Sequence, residues 1–186
     1  MPDAIMPNVP AVPPTPTPSV PPAPPVPLAP PAPKIVQVNQ AQVLSVAYTG
    51  PYDQTRKHLD DLYQWTMRKG YSIAGPATAL FYDDPTKVDP VKCRYEIAYP
   101  VMEACEGGKN VVRKVLPAHQ MAAMEHRGGL GNIMSQTYAA LFTWIGQNGF
   151  VYEAGEPIRE IYKIGHLDVT VEADCVTEVQ IPVRKA

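Results

Sequence analysis

The chain has 186 residues, a formal net charge of −2 and an apolar content of 45%. Near-balanced charge leaves no electrostatic footprint for direct nucleic-acid binding. No apolar run approaches the roughly 18–20 residues of a membrane span, and the N-terminus lacks the basic-then-apolar pattern of a signal peptide, so the expected setting is cytoplasmic.

In chain order, residues 1–33 come first as a proline-rich tail or linker. They hold 15 of the 23 prolines and almost no charge. Such a composition supports polyproline II or disorder; a simple disordered tail is expected, with a semi-rigid tether or a docking site for a proline-recognising protein partner as alternatives. Residues 34–186 are the size of one domain. Lys34 to Tyr48 is Val-rich and alternating, with a break at Asn39-Gln40. Thr49-Gly50-Pro51-Tyr52 is a turn, Asp53 is placed to cap a helix, and Gly70 to end it. Leu59, Leu62, Tyr63 and Thr66 share one face of that helix. Strands follow at 76–82 and at Val91 to Val101, then a polar linker at Glu103 to Asn110.

The plan then repeats. Val111 to His126 is extended, with Pro117 a break, and Arg127 to Gly131 is a glycine-rich turn. Asn132 is placed to cap a second helix, its apolar face Met134, Tyr138, Leu141, Phe142 and Ile145, ending at Gly149. Strands at 157–164 and 174–183 close the unit. The repetition is visible residue by residue. Leu62-Tyr63-Gln64-Trp65-Thr66 matches Leu141-Phe142-Thr143-Trp144-Ile145, and Cys93-Arg94-Tyr95-Glu96-Ile97 matches Cys175-Val176-Thr177-Glu178-Val179. The expected fold is α+β: two β-α-β-β units, 34–102 and 111–184, in pseudo-twofold arrangement. Two main helices pack on antiparallel curved sheet, with a central cleft.

Three cysteines, Cys93, Cys105 and Cys175, read as reduced, buried residues. The sequence has no phosphate-binding loop, no nucleophile elbow and no H-E-x-x-H. His58, His119, His126 and His166 have no metal-ligand spacing, so no metal and no cofactor is expected.

The informative strand is Pro157-Ile158-Arg159-Glu160-Ile161-Tyr162-Lys163. Alternation puts Glu160 on the inward face with Ile158, Tyr162 and Ile164, and Arg159 and Lys163 on a face expected to be solvated. An acid among apolar neighbours is costly and its pKa should rise. A permanent hydrogen bond such as one from the Tyr162 hydroxyl, a cationic ligand, or a general acid–base role would each compensate. Its repeat equivalent is Ala79, so the acid is not demanded by the shared architecture. Glu96 and Glu178 are repeat equivalents that either line the cleft or face solvent. Trp65 and Trp144 are another pair, either core or leaning over the cleft as cation–π surfaces.

Ala47-Tyr48-Thr49-Gly50-Pro51-Tyr52, Arg159-Glu160-Ile161-Tyr162 and Thr177-Glu178-Val179-Gln180-Ile181-Pro182-Val183 together resemble the GyrI-like small-molecule-binding domain. This is the fold of BmrR-type and Rob-type effector-binding domains, within the SOUL-like group. The resemblance spans residues 34–184. It implies a cleft for hydrophobic, often cationic, molecules, with Glu160 and Tyr162 in the family's Glu-Ile-Tyr motif. Candidate ligand-binding residues are therefore Glu160, Tyr162, Trp144, Trp65, Glu178 and Tyr48. The expected function is stand-alone binding of aromatic or cationic small molecules. Alternatives are a hydrolase of reactive drug-like compounds, with Glu160 and Tyr162 as catalytic residues, or a protein-interaction modulator of the gyrase-inhibitor type.

Overall fold

The computed structural model describes residues 31–102, 105–166 and 168–186. The expected tail lies, up to residue 30, outside the described residues. Among the described residues, nine strands and two α-helices follow one another as two similar units. The first is β1 (Lys34–Val38), β2 (Ala41–Thr49), α1 (Thr55–Arg68), β3 (Ala77–Phe81) and β4 (Arg94–Pro100). The second is β5 (Val112–Leu116), β6 (His119–Arg127), α2 (Ala139–Gln147), β7 (Phe150–Tyr152), β8 (Ile158–Ile164) and β9 (Val176–Lys185). The two breaks read from sequence, at Asn39-Gln40 and Pro117, separate β1 from β2 and β5 from β6. The short β7 was not expected, since three residues carry no periodicity.

All main strands pair antiparallel in the order β1-β6-β9-β8-β3-β4-β2-β5, with β7 added to the end of β9. Exchanging the two units reverses this order onto itself, so the pseudo-twofold axis passes between β3 and β8. There Ala79 stands directly opposite Glu160.

The order also dictates a curl. β1 and β2 lie six places apart, which is roughly 29 Å across a flat sheet at ~4.8 Å per strand. Yet only Asn39 and Gln40 join them, a link that reaches at most ~11 Å. The same holds for β5 and β6, joined by Pro117 and Ala118. The sheet must bend into a half-barrel.

Both helices pack on one face. Leu59 and Leu62 of α1 join Leu44, Ala79, Ile97 and Tyr99 in one buried cluster. Leu141 and Ile145 of α2 join Ala122, Val179 and Ile181 in another. On the opposite face Val43, Leu80, Ala98 and Leu116 are buried without a helix over them; the curl itself shields them. This corrects the expectation of a solvated basic face on β8 at Arg159, though not at Lys163, which is exposed. Arg159 is only 3% exposed, donates to the Pro117 carbonyl at 3.3 Å, and has its pKa lowered, chiefly by burial.

The helix starts differ from expectation. Neither Asp53 nor Asn132 caps through its side chain. A 3-10 turn, Tyr52–Gln54, leads into α1, with Thr55 Oγ1 donating to the Tyr52 carbonyl at 2.6 Å. A 3-10 turn at Leu130–Asn132 and a π-helical turn at Met134–Tyr138 lead into α2. The wider π turn changes the phase of the face: Thr137, Tyr138, Leu141 and Ile145 are buried, while Met134 and Phe142 are exposed. Gly70 and Gly149 do end the helices, each at φ +72°.

Candidate functional site

Across the centre of the sheet one row of side chains runs Met124, Val179, Glu160, Ala79, Ile97 and Val46. One acid interrupts an apolar row, and it sits on the pseudo-axis. Two acids facing each other there, with Cβ atoms about 5 Å apart, would repel; Ala79 leaves the position to one carboxylate.

Glu160 is 6% exposed. The Tyr138 hydroxyl donates to its Oε1 at 2.8 Å and the Tyr162 hydroxyl to its Oε2 at 2.9 Å. Burial raises the carboxyl pKa, against the opposing pull of the two tyrosine hydrogen bonds and of His126. The tyrosines are in turn pushed well above the usual phenol range, by burial first and then by the Glu160 charge. His126 is itself buried. Its Nε2 meets the Gly129 carbonyl at 3.0 Å, so Nε2 donates, and Nδ1 lies 2.9 Å from Thr137 Oγ1. That contact fixes the π turn that presents Tyr138.

The duplication isolates this group. The repeat equivalents of Tyr138, Glu160 and Tyr162 are Leu59, Ala79 and Phe81, all apolar. Helical spacing alone places Tyr138 on the apolar face of the second helix, as a core residue. The signal that finds it is the same copy-to-copy comparison that finds Glu160.

Tyr162 belongs to the α1 cluster and also faces open space. Between α1 and the end of β8 runs a groove of about 460 Å³, walled by Tyr63, Met67, Ile73, Tyr99 and Tyr162. Leu59, Gly165 and His166 separate it from a hollow of about 70 Å³ reaching Gly129, Leu130 and Thr177. His166 Nε2 meets Asp60 Oδ1 at 2.8 Å across this divide. The matching position in the first repeat is filled. Tyr52, Phe81 and Tyr95 pack there with ring centroids 4.6 Å and 5.4 Å from Tyr52, where the second repeat has Gly131, Tyr162 and Thr177. The cleft is therefore plugged at one end and open at the other.

Of the six residues singled out from sequence, the structure brings together Glu160 and Tyr162. Trp65 packs on Tyr71, centroids 6.1 Å apart, and Trp144 stacks on Phe150 at 6.2 Å; neither walls the groove. Tyr48 stacks on the His58 ring at 3.7 Å. Glu178 lies on the opposite face of the sheet from Glu160, because its register partner is Ile161. Its carboxylate takes Lys163 at 2.5 Å and Gln180 at 2.6 Å, which hold its pKa down against burial. Its repeat equivalent Glu96 is engaged likewise by Lys114, Ser45 and Tyr82. These two acids support the curled sheet rather than line the cleft. Tyr63, Met67 and Tyr99 of the groove were missed as site residues, since only tertiary packing sets them opposite β8.

Residues 31–184 match the family model of the GyrI-like small molecule binding domain, and the chain belongs to that family. Among solved structures, the EcmrR C-terminal domain superposes with a TM-score of 0.74 at 21% identity, covering 83% of this chain and 98% of that one. In an EcmrR–DNA complex the match covers 57% of the longer EcmrR chain, so this chain spans little more than half of that regulator. A hydrolase from Listeria innocua encoded by lin2189 gives 0.59 at 14% identity, over 84% and 94% of the two chains. SAV2435 bound to tetraphenylphosphonium gives 0.52 at 15%, over 82% and 93%. At these identities the likeness is one of fold. No curated protein matches the sequence. Among the described residues no helix is long and apolar enough to cross a membrane.

Proposed function

We propose that this GyrI-like chain binds hydrophobic small molecules, aromatic and preferably cationic, in the groove between α1 and β8. The observation that carries the reading is a buried carboxylate on an apolar row, held by two phenols, one of which is also a wall of the groove. Among the described residues no Lys or Arg is bonded to Glu160, so its charge is costly where it stands. A ligand cation that displaces the Tyr162 hydroxyl would neutralise it, while the tyrosine rings supply flat apolar contact. The tetraphenylphosphonium complex of SAV2435 is a precedent on this fold. Trp65, Trp144, Tyr48 and Glu178 carry no ligand contact in this proposal, and the free thiols of Cys93 and Cys175 suit a reducing cytoplasm.

Calorimetric titration with tetraphenylphosphonium tests it. Glu160→Gln should weaken binding roughly tenfold or more, the scale of one lost charge-assisted contact. Equal affinity would remove Glu160 from the site.

A hydrolase is the second reading, favoured by an acid of raised pKa flanked by two hydroxyl donors. In it Glu160 is the general base toward water and Tyr162 the donor to a developing oxygen. Mass spectrometry of an electrophilic compound after incubation decides between the two, since unchanged mass sinks hydrolysis.

A further inference from the structure

We propose that the proline-rich segment of this same chain, residues 4–30, docks into the tyrosine-walled groove and competes there with small molecules. The docking stands on the groove and the segment alone; the competition rests on the small-molecule reading above.

The first ground is where the segment starts. β1 runs antiparallel to β6, with Lys34 opposite Ala123 and Val38 opposite His119. Going back from Lys34, the chain therefore heads along β6 toward Arg127 and the turn at Gly129-Leu130, which walls the smaller hollow. Pro31 and Pro33 are half-buried, so the chain is still against the domain when it reaches that end. Apolar surface continues there in the exposed Leu130, Met134 and Ile164. Twenty-seven residues of polyproline II would reach about 84 Å at ~3.1 Å each, well beyond the ~15 Å radius of gyration of a domain this size.

The second ground is chemistry. Between Asp3 and Lys34 the chain carries no charged residue, and Pro21-Pro22-Ala23-Pro24-Pro25-Val26-Pro27 is its densest stretch. The groove matches that neutrality. Each acidic, basic or imidazole side chain on its walls and on those of the hollow is engaged: Lys163 with Glu178, His166 with Asp60, Arg56 with Glu172, and Asp168 with the Gly165 amide. What remains open is aromatic and aliphatic, from Tyr63, Tyr99, Tyr162, Met67 and Ile73. Rails of aromatic rings are what polyproline II segments dock on, with little ordering entropy to lose. Tethering raises the local concentration to roughly millimolar, so weak docking suffices.

The test is photocrosslinking in the full chain, with benzoylphenylalanine replacing Met67 at the groove or, as control, Val112 on β5. The expected result is crosslinks from position 67 to residues 4–30 of the same molecule, independent of protein concentration and at least fivefold above those from position 112. Exchanging Pro21, Pro22, Pro24 and Pro25 for serine should abolish them, because the groove is untouched. Crosslinks that join two copies, crosslinks equal from both positions, or none to the segment would overturn the docking. If docking holds, the serine variant should bind tetraphenylphosphonium several-fold more tightly than wild type; unchanged affinity, with binding intact, would overturn the competition alone.

Discussion

At the residue scale, one carboxylate and two phenols form a single hydrogen-bonded unit. Tyr138→Phe removes a donor from a buried acid and should cost about 1–3 kcal/mol in urea unfolding. A cost below a few tenths would mean that the Tyr138–Glu160 bond is not made in solution. Glu160 also sets a pH dependence whose sign is fixed. Its folded pKa lies above the unfolded value, so the native state keeps a proton that the unfolded chain releases first. Its contribution to stability is full below the ordinary carboxyl range, and it is lost as pH rises toward the raised pKa. Glu160→Gln has no proton to lose. Its melting temperature relative to wild type should climb between about pH 4 and neutrality, and a flat difference would place the carboxyl at an ordinary pKa. Glu160 and Tyr162 were legible in sequence because strand alternation fixes their face and the second copy supplies a comparison. Trp65, Trp144 and Glu178 were misplaced because equivalence between copies says nothing about distance from the axis.

At the element scale, the split strands, both helices and the helix-ending glycines could be read from periodicity and punctuation. The π turn could not, because it depends on His126 holding Thr137. It rotates Met134 out of the core and brings Tyr138 over Glu160. Gly70 and Gly149 sit at φ +72° with open space where a Cβ would go. Substituting alanine at either should therefore cost only backbone strain, about 1 kcal/mol each. The two costs should add, since the sites terminate different helices. Denaturant midpoints of the single and double variants check this.

At the scale of the whole molecule, the sequence showed a duplication but not the exchange of edge strands that closes it. β1 pairs with the second unit and β5 with the first. That exchange curls the sheet and buries Arg159, while the central β3–β8 pairing puts Glu160 on the axis. The fold is nearly symmetric, but the site is not. Moving the acid across the axis, in the double variant Ala79→Glu/Glu160→Ala, keeps the composition. It confronts the carboxylate with Leu59 and Phe81 in the places of Tyr138 and Tyr162. The double variant should unfold more easily than wild type by about 2 kcal/mol or more, and it should not bind aromatic cations. Wild-type stability would show that the hydroxyls are incidental.

Tetraphenylphosphonium affinity as a function of pH, wild type beside Glu160→Gln, tests whether Glu160 is the counter-charge of a bound cation. Binding a cation requires the ionised carboxylate, so wild-type affinity should fall as pH drops through the raised pKa of Glu160, while the weaker affinity of the variant stays level. Parallel pH profiles for the two proteins would contradict the role of Glu160 as the counter-charge.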